Sequence, residues 1–303
     1  VAESAEETDS FQQSAVLRRW AAAGAERAPL WFVRCAPLLF GAVFSVLLPS
    51  VRAQIRRNLR WIEGERSWVV EGRDIVWTLA QFARNLIESL APERAVFGPR
   101  EFQVRGRHRA EAFLASGQGA LIVTAHVGPW DAAAVGLRSM GDVPVLMLMS
   151  KDADAEGGAF QDAVRESKNL SVLRIGDSGL DALPALQHLE AGGLVVAQLD
   201  RLPPSGISAP AELFGREFPA PKGLFHLAAL ARVPMIPVFS SRHATGKRVV
   251  QVGEPIVFSR RPSQSELASC VAGAMAQLEA HVAAFPTQWF HFVPDLPQAA
   301  ESN

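Results

Sequence analysis

The sequence predicts an α/β fold: a largely parallel central sheet flanked by helices, with a helical N-terminal extension. Three observations carry this expectation. Short, continuous apolar runs recur after Glu101, of the kind that form strands buried on both faces. Stretches of helical character, roughly 10–15 residues long, separate several of these runs, as βαβ units require. Apolar residues make up 49% of the chain and charged residues 20%, enough for a sizeable core.

The expected strands are Ala120–Ala125 (ALIVTA), Val143–Met149, Ser171–Ile175, Leu194–Leu199 (LVVAQL), Met235–Phe239 and Val249–Val252. The helical stretches are Trp130–Ser139, Phe160–Lys168, Leu180–Glu190 and Lys222–Ala231, with a last helix around Ser265–Ala284. There is no internal repeat and no low-complexity linker. The organisation read from this is an acidic, disordered tail (1–10), an N-terminal helical membrane-associating region (11–100), an α/β core (101–297) and a flexible tail (298–303).

The segment Pro29–Val51, PLWFVRCAPLLFGAVFSVLLPSV, is very apolar but is expected to be interrupted at Arg34 and Pro37. Its uninterrupted part, Leu38–Leu48, falls short of the ~20 residues of a spanning helix. A helix lying in the membrane interface fits better, with Arg18, Arg19, Arg27 and Arg34 near lipid phosphates and Trp20, Trp31 and Phe32 at headgroup level. Eight arginines and one glutamate between Phe11 and Arg60 suit an anionic surface; a solvated arginine face or a buried helix pair explains them equally simply. Helical spacing resumes at Val76, Leu79, Phe82 or Ala83, Leu86 and Leu90, and Pro92 is expected to end that helix.

The net charge of −1 gives no global pointer to nucleic acid. The two cysteines, Cys35 and Cys270, sit in apolar surroundings outside any CxxC pattern and read as reduced, buried thiols. No other His, Cys or carboxylate stands at ligand spacing from His126, so neither a metal nor another cofactor is expected.

His126 stands where the run ALIVTA ends, at the carboxyl edge of the expected sheet, where sites of such sheets lie. Gly128 and Pro129 turn the chain, and Asp131 falls in the first turn of the following helix. The step from His126 to Asp131 allows the carboxylate to hold Nδ1–H and leave Nε2 as a base. With no evident nucleophile on the chain, the base would act on a substrate hydroxyl, as in direct acyl transfer from a thioester. A hydrogen-bonded loop histidine has the same spacing. A second polar cluster, QLDRLPPSG, puts Asp200 and Arg201 at another carboxyl strand edge. Arg201 suits a phosphate of a phosphopantetheine or nucleotide donor, or else Asp200 and Arg201 form a structural pair. Gly215, Pro221 and Gly223 read as turn chemistry, and the helix behind Gly223 offers backbone N–H groups to an anion. Arg165 and Lys222 face either this cleft or solvent.

Taken together, these segments resemble the lipid A biosynthesis (lauroyl/myristoyl) acyltransferase family, which includes phosphatidylinositol mannoside acyltransferases. The resemblance runs from about Arg52 to Val293. It rests on TAHVGPWD, on DRLPPSG followed by LFG and by Pro221-Lys222-Gly223, on FPTQWFHFVPD, and on the early RRNL at Arg56–Leu59. It implies an acyltransferase at the cytoplasmic face of the bacterial inner membrane. The donor would be an acyl carrier protein or coenzyme A thioester, and the acceptor a lipid or glycolipid. His126 would be the general base and Asp131 its partner, with Trp130, Arg165, Asp200, Arg201 and Gly223 binding substrate. Departures are Asp131 where many members have glutamate, Arg216 directly after Gly215, and Val293-Pro294-Asp295 in place of a basic ending. Two other readings stay open: an acyl thioesterase, and a lipid-binding protein without turnover.

Overall fold

The computed structural model describes residues 28–90, 102–129, 141, 143–150, 170–176, 179–202 and 207–292. The expected helices Trp130–Ser139 and Phe160–Lys168, and with them Trp130, Asp131 and Arg165, lie outside the described residues, as do Arg18, Arg19, Trp20, Arg27, Pro92 and the two chain ends.

Three helices come first: α1 (Leu30–Leu47), α2 (Pro49–Glu63) and α3 (Trp68–Leu90). There follow β1 (Phe102–Arg105), α4 (Arg107–Ala115), β2 (Ala120–Thr124), β3 (Val145–Ser150), β4 (Ser171–Ile175), α5 (Leu183–Glu190) and β5 (Leu194–Gln198). The chain continues through β6 (Ser208–Leu213), β7 (Arg216–Pro221), α6 (Lys222–Ala231), β8 (Met235–Arg242), β9 (Arg248–Val252) and α7 (Gln264–Ala284). Seven strands form one sheet in the order β1-β9-β8-β2-β5-β3-β4, and only the β8–β9 pairing is antiparallel. The mostly parallel α/β fold is as the sequence predicts.

The central strands show why their runs carry no polar alternation. Leu121 and Val123 of β2 join Val195 and Ala197 of β5 in a core on one face of the sheet. Ala120 and Ile122 join Leu194 and Val196 in a second core on the other. Each successive side chain points to the opposite face, and both faces are covered. Helix α4, the edge strand β1 and the β6–β7 hairpin escaped the sequence reading. The edge strand β1 has only four residues, of which alternate ones are exposed. The β6–β7 hairpin, closed by the two-residue turn Phe214-Gly215, lies where turn chemistry was expected.

In the N-terminal region, α1 runs unbroken through Arg34 and Pro37 for 18 residues, which corrects the expected interruption. Its buried edge, Val33, Pro37 and Gly41, holds the helix on both sides of the hydrogen bond that proline cannot make. At Gly41 a Cβ would stand 2.3 Å from the Val76 carbonyl oxygen, so only glycine lets α1 approach α3 this closely. The rest of α1 is outward and apolar: Trp31, Phe32, Leu38, Leu39, Val43, Val46 and Leu47 are all exposed. By length and composition the helix is able to cross a membrane. Cys35 is exposed on it, against expectation, because its position lies off the narrow edge that meets α3; Cys270 is buried as expected.

The arginines of α2 have protein partners, although Arg57 and Arg60 remain exposed. Arg56 and Arg60 pair with the buried Glu71 of α3, Arg57 donates to Gln54, and Arg52 donates to the Ser45 carbonyl. Part of the local arginine excess therefore belongs to helix packing.

Candidate active site

The site is built from strand register. Thr124 of β2 lies beside Gln198 of β5 in a parallel pair. His126 and Asp200 each follow two residues later, so they emerge side by side beyond the carboxyl ends of neighbouring strands. There Asp200 Oδ1 is 2.9 Å from His126 Nδ1, and Asp200 Oδ2 accepts the His126 backbone N–H at 3.0 Å. The Nδ1 contact that the sequence reading gave to Asp131 is thus made by Asp200. The spacing of five residues is a property of one segment, whereas adjacency of β2 and β5 depends on the order of strands in the sheet. The sequence signal that was present is the equal offset of His126 and Asp200 from the ends of their strands.

Asp200 is 1% exposed and sits among three N–H groups, the third being Trp289 Nε1–H, which donates to Oδ2 at 3.0 Å. Burial alone would raise its carboxyl, but the His126 imidazole and the two hydrogen bonds from His126 outweigh burial and hold it well below the ordinary carboxylate range. Asp200 is therefore an anion. Burial is also the largest influence on His126, and with the Arg201 guanidinium it lowers the imidazole against the opposing pull of Asp200. A lowered imidazole is neutral near neutral pH and ready to take a proton. The His126 side chain keeps 16% of its exposure, and no described residue hydrogen-bonds to Nε2. Among the described residues Nε2 is thus the open ring nitrogen.

From His126 to Pro129 every backbone N–H and carbonyl has a partner. Val127 N–H donates to the Ala125 carbonyl, and Gly128 N–H to the Gln288 carbonyl at 2.9 Å. The Gly128 carbonyl accepts from Asn85 Nδ2 of α3 at 2.7 Å, and the Pro129 carbonyl from Ser240 Oγ of β8 at 2.8 Å. Phe290 N–H donates to the His126 carbonyl at 2.8 Å, and Val127 bridges Trp289 in antiparallel fashion. Gly128 has φ +53°, and a Cβ there would stand 2.4 Å from the Ser240 carbonyl oxygen. Such accounting fixes the histidine before any substrate arrives.

Two motifs without an assigned task prove to be the frame of this loop. In FPTQWFHF, the Gln288 side chain reads both backbone groups of Arg242, Trp289 reaches Asp200, and Phe290 meets His126. In RRNL, Asn58 Nδ2 donates to the His291 carbonyl at 2.6 Å. His291 is fully buried and stacked on Trp289, ring centroids 5.2 Å apart, and burial drives it down to about 4. It stays neutral beside Asp200 near neutral pH.

Arg201 follows Asp200 at the same edge and is half-buried. Gly223 is exposed in the first turn of α6, and no neighbour lies within 4 Å of where its Cβ would stand. Steric need therefore does not explain that glycine. Among the described residues no serine, threonine or cysteine side chain hydrogen-bonds to His126; Ser240 Oγ is spent on the loop carbonyls.

The structure thus defines an α/β protein with a buried carboxylate bonded to a histidine at the ends of neighbouring parallel strands. The chain belongs to the bacterial lipid A biosynthesis acyltransferase family, whose model matches residues 16–296, and it is an acyltransferase. A comparison with curated proteins gives no match. The family is membrane-associated, and the exposed apolar α1 is compatible with that.

Proposed function

We propose that this acyltransferase moves a fatty acyl chain from an acyl carrier protein or coenzyme A thioester to a hydroxyl or amine of a lipid or glycolipid. His126 is the general base. Nε2 takes the acceptor proton, the acceptor oxygen or nitrogen attacks the thioester carbonyl, and the tetrahedral intermediate collapses with loss of the thiolate. The imidazolium then returns its proton to that sulfur. The observation that carries this reading is the 2.9 Å contact between His126 Nδ1 and Asp200, which fixes the imidazole by one nitrogen and, among the described residues, leaves the other open. The absence of a side-chain nucleophile bonded to His126 among the described residues favours direct transfer over an acyl-enzyme.

Arg201, Trp130 and Gly223 are read as substrate-binding residues, with Arg201 meeting a donor phosphate, and Arg165 as a stabiliser of the oxyanion. Asp131 is read as a second carboxylate of the site. The exposed face of α1 is read as lying in the cytoplasmic leaflet of the bacterial inner membrane, bringing the site to its acceptor.

The test follows a labelled long-chain acyl group from acyl-carrier protein or coenzyme A into a bacterial membrane lipid extract, by mass spectrometry. Label in a lipid product, lost in His126→Ala with the fold retained, supports the reading. Rapid release of free fatty acid that ignores the extract would make the protein a thioesterase, and near-normal transfer by His126→Ala would remove the base.

A further inference from the structure

We propose that Trp289 is a positioning residue of the His126–Asp200 dyad. Its indole N–H fixes the Asp200 carboxylate and takes up part of its charge, and so sets how strongly Asp200 acts on His126. This rests on the reading of His126 as base.

The geometry gives Trp289 two holds on the pair. Its side chain donates to Asp200 Oδ2 at 3.0 Å, and its backbone bridges Val127, the residue next to His126. One residue of the C-terminal segment therefore registers both partners. The indole is 2% exposed and enclosed by Trp61, Phe218 and His291, so water does not replace its hydrogen bond. A hydrogen bond to a buried carboxylate is stronger than one between neutral groups. Oδ2 is shared between this indole and the His126 backbone N–H, while Oδ1 faces Nδ1. Charge drawn towards the indole is charge withheld from the Nδ1–H bond. Without the indole N–H, the two His126 contacts still hold the carboxylate, but its whole charge falls on them.

The experiment uses the full chain with 15N-labelled histidine, the His126 signals being assigned by their loss in His126→Ala. Trp289→Phe keeps an aromatic ring and removes only the donor. The expected result is an upward move of the His126 titration midpoint by roughly half a pH unit or more, and an equal move of the acid limb of the pH–rate profile. In the Asp200→Asn background the same substitution should leave the midpoint unmoved, since the route through the carboxylate is gone. A residue that only fills space would produce neither pattern. A midpoint unchanged or lowered by Trp289→Phe, or raised equally in the Asp200→Asn background, overturns the proposal. If Trp289→Phe fails to fold, the unaltered chain with 15N-labelled tryptophan decides. One of its seven indole N–H signals must shift with the His126 midpoint, and if none does the proposal is wrong. Failure of the base itself reads differently: His126→Ala would retain transfer whatever Trp289 does.

Discussion

His126 and Asp200 stand at equal distances, two residues, beyond the ends of neighbouring parallel strands, and their side chains meet at 2.9 Å. The pairing is produced by register, with no local turn bringing the two together. Removing the charge without changing the shape is therefore the sharpest probe. Asp200→Asn should lower transfer by about 10²–10⁴-fold while circular dichroism stays unchanged. It should also lower the His126 midpoint, because the carboxylate is what raises it. Asp131→Asn, made in parallel, is expected to reduce transfer while leaving that midpoint near its normal value. A midpoint that follows Asp131 and ignores Asp200 would contradict the geometry.

Activity should survive mild acid. The base must be unprotonated, and burial holds His126 below the ordinary imidazole value. The acid limb of kcat/KM is expected below the ~6.5 of a free histidine. A limb at or above that value, measured with saturating donor, would show that His126 is more solvated than its surroundings indicate.

Gly128 is the tightest point of the loop. Gly128→Ala forces a side chain into positive φ and against the Ser240 carbonyl. The expected cost is roughly 2–3 kcal/mol, read by urea denaturation, together with a large loss of kcat as His126 moves. Gly215→Ala, in the exposed hairpin turn with open space for a Cβ, is the comparison and should leave kcat intact.

Stability should fall on acidification before the carboxylates titrate. Burial drives both His281 and His291 down to about 4. The unfolded chain binds these protons near pH 6.5 and the folded chain near 4, so the unfolded state binds more protons in between. Stability is full above about pH 6.5 and is lost as pH falls towards 4, by on the order of 3 kcal/mol for each imidazole. Denaturation midpoints at pH 7 and pH 4.5 measure the loss, and His281→Asn should remove about half of it.

Binding to lipid should depend on the outward face of α1. Replacing Trp31, Leu39 and Val46 together by serine removes three side chains that are 68%, 59% and 70% exposed, so folding should hardly change. Co-sedimentation with phosphatidylglycerol vesicles should fall by about tenfold or more. Undiminished binding would move the membrane contact elsewhere.

Much of this molecule was legible in one dimension. The runs ALIVTA and LVVAQL announced doubly covered parallel strands because their residues show no polar alternation. His126 and Asp200 could each be placed at a carboxyl strand edge, and helix α6 was legible over its whole length. Order in space was not legible. Which two strands are neighbours depends on the packing of the whole sheet, and that neighbourhood gives Nδ1 of His126 to Asp200. The roles of Trp289, Asn58 and Asn85 likewise arise from chain segments far apart in sequence. The hydrogen bonds of Trp289 to Asp200, of Asn85 to the loop and of Asn58 to the C-terminal segment exist only once α2, α3 and that segment close over the ends of the strands. Sequence alone determined the histidine's place at a strand's carboxyl end and the kind of sheet that carries it. Tertiary structure decided which carboxylate holds it, because a hydrogen bond requires proximity in space and sequence spacing constrains that only within a turn or two.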